Sequence, residues 1–130
     1  MINGRSSIKA RRTPAFGGNL ALTRRAFAAA DQAIRGTAIF DLVRRGETAL
    51  AAQLAQLPVI IDARTARQAT ETARSIARSS HSSVVLAASF SAHYASYAFE
   101  AMDAAHDAIY AADIAAERSH RLTKMQVRHD

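Results

Sequence analysis

The chain contains no cysteine and no tryptophan. The first absence excludes disulfides, thiolate metal sites and a cysteine nucleophile. The second, with only five phenylalanines and three tyrosines, leaves little bulky material for a core. Glycine and proline are also scarce, five and two, and all seven lie at or before Pro58, so the rest of the chain lacks strong backbone punctuation. No stretch reads as a membrane span. Residues 79–99 run without a formal charge but hold seven serines and two histidines, too polar for a lipid-facing helix. The first residues have no apolar core of the kind a secretion signal needs, although an Arg- and Ser-bearing start with no acid before Asp31 also matches an organellar transit peptide.

What the chain does have is alanine, nearly a quarter of its 130 residues. Alanine has the best helix propensity and loses no side-chain entropy on folding. The expected fold is therefore all-α: four to five helices in a small bundle, with a long Ala-rich C-terminal helix and an irregular basic N-terminal arm. A chain of this length makes one domain. We place the arm at 1–18, the helical domain at 19–122 and a tail at 123–130. With so few large side chains, stability must come from close helix approach across alanine and serine faces.

Local signals set the expected boundaries. Pro14 and Gly17-Gly18 close the arm, and Asn19 is a good N-cap. Leu20, Thr23, Phe27, Ala30 and Ile34 recur at spacings of three and four, one helical stripe, with Gly36 placed as its C-terminal cap. Thr37 then caps a short second helix that ends at Gly46, and a third runs from Glu47 to Leu57. The Val59-Ile60-Ile61 run has no strand to pair with and reads as the entry to a fourth helix over Asp62–Arg78, whose core face is Ala63, Ala66, Ala69, Ala73, Ile76 and Ala77. The serine-rich cluster 79–83 caps a last helix expected to reach Ser119. Its first half, Val84–Phe99, is apolar nearly all round and belongs at the centre of a bundle. Its second half sets Glu100, Asp103, Asp107, Asp113 and Glu117 against an alanine face. Some thirty-six residues would make a rod of roughly 54 Å, against roughly 36 Å for a compact chain of this size. The helix must break or project, and projection with self-association is the expectation.

Charge is the most informative feature. The net +6 is divided as +7 up to Arg45, +1 from Gly46 to Ser80 and −2 thereafter, with arginine outnumbering lysine fifteen to two. Arg5, Lys9, Arg11 and Arg12 in the arm, Arg24 and Arg25 on the first helix, and Arg64, Arg67, Arg74 and Arg78 on the fourth form the footprint of a phosphate-backbone binder, because the planar guanidinium makes paired hydrogen bonds to phosphate. Arg35, Arg44 and Arg45 lie in last helical turns, where a cation caps the helix dipole. The row on the fourth helix also fits a solvated face on which Glu71 pairs locally, or a surface on which the acidic last helix docks.

No zinc finger, basic zipper, RNA-recognition motif, Walker loop or His-Glu-x-x-His is present, so sequence-specific readout is not expected. Glu100 with Asp103 and His106 resembles the carboxylate and Glu-x-x-His pattern of di-iron bundles, but it lacks ligands from facing helices and reads as a solvated acidic face. His81 among serines lacks an orienting acid and an oxyanion hole. His93, Tyr94 and Tyr97 read as core residues. No catalytic residue, metal site or cofactor is expected. The expectation is a non-enzymatic nucleic-acid-binding accessory, architectural or coat-like protein, cytoplasmic or within a nucleoprotein assembly, acting as a homo-oligomer or a subunit of a larger assembly. The alternative is a helical interaction module docking on an acidic protein surface.

Overall fold

The computed structural model describes residues 19–129, with side chains through Gln126. The expected arm, with Arg5, Lys9, Arg11 and Arg12, lies outside the described residues. The fold is an all-helical bundle. Helices α1 (Leu20–Gln32) and α2 (Ile39–Arg44) are joined without a break by a π-helical turn, Ala33–Ala38. Then follow α3 (Thr48–Ala55), α4 (Ala63–Ser80), α5 (Ser83–Ala95) and α6 (Met102–His129).

Gly36 therefore does not end the first helix, and Thr37 caps nothing. Among the described glycines only Gly46 has a positive φ, +81°. Gly36 stays helical because Ala30, Ile34, Ala38 and Leu42 are all buried, a stripe of strict spacing four that passes straight through it. Four residues overshoot an α-helical turn by about 40°, and the wider π turn takes up the drift. A Cβ on Gly36 would collide with the amide end of Gln32, so the glycine leaves room for that side chain. Gly46 is the real terminator: its N–H donates to Val43 O and that of Glu47 to Leu42 O, the paired bonds of a Schellman cap.

Pro58 to Ile61 is an irregular link rather than a helix entry. Ile60 is buried and its N–H donates to Asp31 Oδ1 at 3.0 Å, which fixes the segment against α1. Asp62 then caps α4 in a reciprocal box with Thr65.

The long last helix breaks. Residues 96–101 form a turn held by short-range bonds from the N–H groups of Ser96, Tyr97 and Ala98 to the carbonyls three residues back. There α6 reverses and packs on α5, with Ser91 Oγ donating to Ala108 O at 2.7 Å. The argument for a projecting helix falls with this reversal. As expected, α5 is central, touching α1, the π turn, α4 and α6. α6 runs past residue 122 to His129, 28 residues in all.

The core is made of small residues. Ala26, Ala30, Ala38, Ala66, Ala73, Ala88, Ala92 and Ala105 are fully buried, whereas Leu20 and Phe40 are half exposed. Among the described residues, the largest fully buried apolar side chains are Ile34, Leu42, Leu54, Val84 and Val85. Bonds between elements define two ends. At the Asn19 end, Thr23 Oγ1 donates to Ala98 O in the α5–α6 turn. At the Gly46 end, Asp41, wholly buried, accepts from Ser82 Oγ at 2.7 Å and pairs with Arg44, while Ser82 caps α5 by accepting from Val85 N–H.

Candidate nucleic-acid interface

Helix α4 turns its alanine face, with Ile76 and Thr70, toward the core. Positions 64, 67, 71, 74 and 78, spaced three and four apart, fall on the opposite side. Arg64, Arg67 and Arg78 are exposed and Arg74 is half-buried. The row is roughly 21 Å long at the helical rise. Ion pairs among the described residues are Asp31–Arg35, Asp41–Arg44 and Glu117–Arg121, and none involves this row. Glu71 stands within it without pairing. The acidic first half of α6 does not cover it either, since α4 packs on α5 and α3 while α6 packs on α5, α1 and the π turn. The field of the row is felt at its start. The Asp62 carboxyl is held below its ordinary value, first by the Thr65 backbone N–H, then by the Thr65 hydroxyl, with Arg64 and Arg67 adding to these.

Arg24 and Arg25 are both exposed, but consecutive helical positions point about 100° apart. Arg24 lines a groove with Asp62, Ala63 and Glu100, which brings it to the beginning of the α4 row in mixed-sign company. Arg25 lines neither this groove nor the one adjoining it.

The expectation that Arg35, Arg44 and Arg45 cap the last turns of their own helices is corrected: Arg35 lies inside the continuous first helix, and the bonds of all three run to side chains or to the ends of other helices. Arg35 donates to the carbonyls of Ala55 and Leu57 at the end of α3. Arg45 donates to Ser80 O at the end of α4. Arg44 pairs with Asp41 and reaches Gln126 Oε1 on α6. The fold thus uses these three cations internally.

A second set of cations escaped the sequence reading. Arg118, Arg121 and Lys124 follow the acidic first half of α6, and the antiparallel packing of α5 and α6 carries them to the Gly46 end, where Arg118 donates to Ser83 O. A net charge of −2 over the last segment conceals this, because the two signs separate along the helix. Their order in the sequence, acids first and cations last, was the available signal, and it is the order the helix dipole favours.

The chemical readings resolve locally. His81 is exposed in the left-handed conformation that ends α4, at φ 55°. The neighbouring Ser82 hydroxyl is buried and engaged as a cap. Tyr97 is about half exposed rather than core, and His93 meets Tyr94 and Tyr97 edge to face. Among the described residues, no three His, Asp or Glu side chains gather as a metal-ligand set, and no helix is long and apolar enough to cross a membrane. Neither a protein family, nor a curated protein, nor a solved structure matches the chain.

Proposed function

We propose that this protein is a non-enzymatic helical accessory, architectural or coat-like protein that holds nucleic acid, DNA or RNA, by its phosphate backbone and without sequence preference. Such a role places it in the cytoplasm or within a nucleoprotein assembly. The observation that supports this reading is the α4 row: Arg64, Arg67, Arg74 and Arg78 on one face, none of them in an ion pair among the described residues. Cations unpaired among the described residues suit an external anion. A straight row of guanidinium forks suits regularly repeated phosphates, which follow every 3.4 Å or so along one strand of duplex DNA. Arg5, Lys9, Arg11 and Arg12 extend the same chemistry.

The test is fluorescence anisotropy of the full chain with labelled duplex and single-stranded DNA and RNA across a salt series. Four contacts from α4 give a slope of log affinity against log salt near −3.6 on duplex DNA. Contacts from the N-terminal segment steepen it. Arg64→Glu, Arg67→Glu, Arg74→Glu and Arg78→Glu together abolish binding at moderate salt. Salt-independent or absent binding overturns the proposal, as does equal competition by polyglutamate, which assigns the row to an acidic protein surface instead.

A further inference from the structure

The Asn19 end of the bundle carries large apolar side chains that stand exposed among the described residues. Leu20 at the start of α1, Val59 and Ile61 in the link before α4 and Phe99 in the α5–α6 turn are exposed by 52%, 55%, 68% and 59%. They come from three separate stretches of chain, yet they converge. Two open grooves of about 320 and 460 Å³ adjoin there, sharing Arg24, Phe27 and Ile61. Four such side chains present roughly 400 Å² of apolar surface, the size of the largest and often functional patch on an ordinary monomer.

The rim of the patch identifies what covers it. Arg24 stands beside Asp62 and Glu100 around the apolar floor, and none of the three enters an ion pair among the described residues. A rim of both signs around an apolar floor is complementary to itself. A twofold axis through the floor sets Arg24 of each copy against Glu100 of the other, which is the reciprocal arrangement an isologous interface requires. Nucleic acid does not fit, because two carboxylates repel phosphate and the floor offers it nothing. We infer that this face is a homodimer interface, with Phe99 and Ile61 at its centre and the Arg24–Glu100 pair at its rim.

The area is consistent with this. A stable interface takes about 800 Å² from each partner, a little over half of it non-polar. The four apolar side chains supply that non-polar share and the charged rim lies around them. The inference does not rest on nucleic-acid binding. It withdraws Arg24 from the cations available to phosphate and leaves the α4 row untouched.

Sedimentation velocity of the full chain, without nucleic acid, tests it from micromolar to hundred-micromolar concentration. The expected result is a concentration-dependent dimer, weakened about thirtyfold by Phe99→Glu, with circular dichroism confirming that the variant is folded. Arg24→Glu also weakens the dimer, and adding Glu100→Arg restores it, a rescue that general destabilisation does not produce. The cysteine-free chain permits a direct geometric readout. A single thiol from Ile61→Cys is captured as a covalent dimer by a short bismaleimide, whereas one from Ser75→Cys, on the exposed side of α4, is not. A monomer at every concentration overturns the inference and leaves the patch to another occupant. A dimer indifferent to Phe99→Glu and Arg24→Glu, or equal capture at both thiols, also overturns it. Each readout stands whether or not the chain binds nucleic acid.

Discussion

Two sets of arginines sit on long helices of this bundle in different circumstances. On the helix formed by α1, the π turn and α2, Arg35 and Arg45 reach across to carbonyls that end α3 and α4, and Arg44 closes on the buried Asp41. On α4, Arg64, Arg67, Arg74 and Arg78 form no ion pair among the described residues. Helices end with carbonyls that no intrahelical N–H satisfies, and in an alanine-packed bundle with few polar side chains nearby, a long cation from the adjacent helix is what reaches them. The first set is therefore consumed in assembling the helices. The α4 row lies on the side away from the core and enters no ion pair among the described residues. Charge alone does not separate the two sets; what separates them is whether a helix end or a buried carboxylate lies within reach.

The contrast breaks most sharply at Asp41. Its carboxylate is fully buried and holds both Arg44 and the Ser82 cap, so Asp41→Ala strands a cation and frees a helix cap in one step. Loss of one partner of a buried pair costs about 3 kcal/mol, and urea unfolding should show the midpoint lowered by that free energy divided by the m-value. If the variant melts like the parent, the Gly46 end is not organised as described.

A smaller effect separates the two arginine sets directly. Arg45→Ala removes a charge-assisted bond to Ser80 O and should cost about 1–2 kcal/mol. Arg64→Gln, Arg67→Gln, Arg74→Gln and Arg78→Gln should each change stability by less than about 0.5 kcal/mol. Thermal and urea melts of the five single variants decide it. A row variant that destabilises as much as Arg45→Ala would mean that the row has a structural partner after all.

The α4 row was legible in the sequence, and the reasons are specific. Spacings of three and four set the arginines opposite a run of alanines, although the helix entry was read at Val59–Ile61 and the Asp62–Thr65 cap that starts the helix was missed. Gly46 was legible for a similar reason, since an amphipathic stripe stops there. Gly36 looks the same locally, and only the continuation of the buried stripe to Ala38 and Leu42 shows that the chain passes through it. The reversal at 96–101 has no glycine or proline to announce it. Length required the helix to break or project, and the break is decided by what α6 buries when it folds back on α5, a tertiary gain invisible in local propensity. The apolar patch was hidden by the reverse effect. Leu20 and Phe27 belong to one helical stripe with Thr23, Ala30 and Ile34, but the inside of α1 is taken by Leu22, Thr23, Ala26 and Ala30, which leaves Leu20 half exposed and Phe27 only partly buried. The convergence of Ile61 and Phe99 beside them depends on how the ends of α1, α4 and α5 meet.

The smallest test lies where the α4 row meets the fold. Asp62 caps α4, and its carboxyl is held below the ordinary value near 3.8, chiefly by the Thr65 N–H, then by the Thr65 hydroxyl, and further by Arg64 and Arg67. A carboxyl whose folded value is depressed stabilises the fold fully above its unfolded value. That contribution is lost as pH falls through the lower, folded value, so the Asp62 cap is intact at neutral pH and loosens only in the acid range below 3.8. Carboxyl carbon NMR titration should place Asp62 below the ordinary aspartate value. Thr65→Val removes one of the two Thr65 donors and should raise the value more than Arg64→Gln and Arg67→Gln together, because hydrogen bonds act at contact while exposed charges are screened by solvent. The arginine contribution should vanish in high salt and the Thr65 contribution should persist. If instead the arginine variants move Asp62 more than Thr65→Val does, then part of the α4 row is held against its own cap, and those arginines join Arg35, Arg44 and Arg45 as cations the fold has already used.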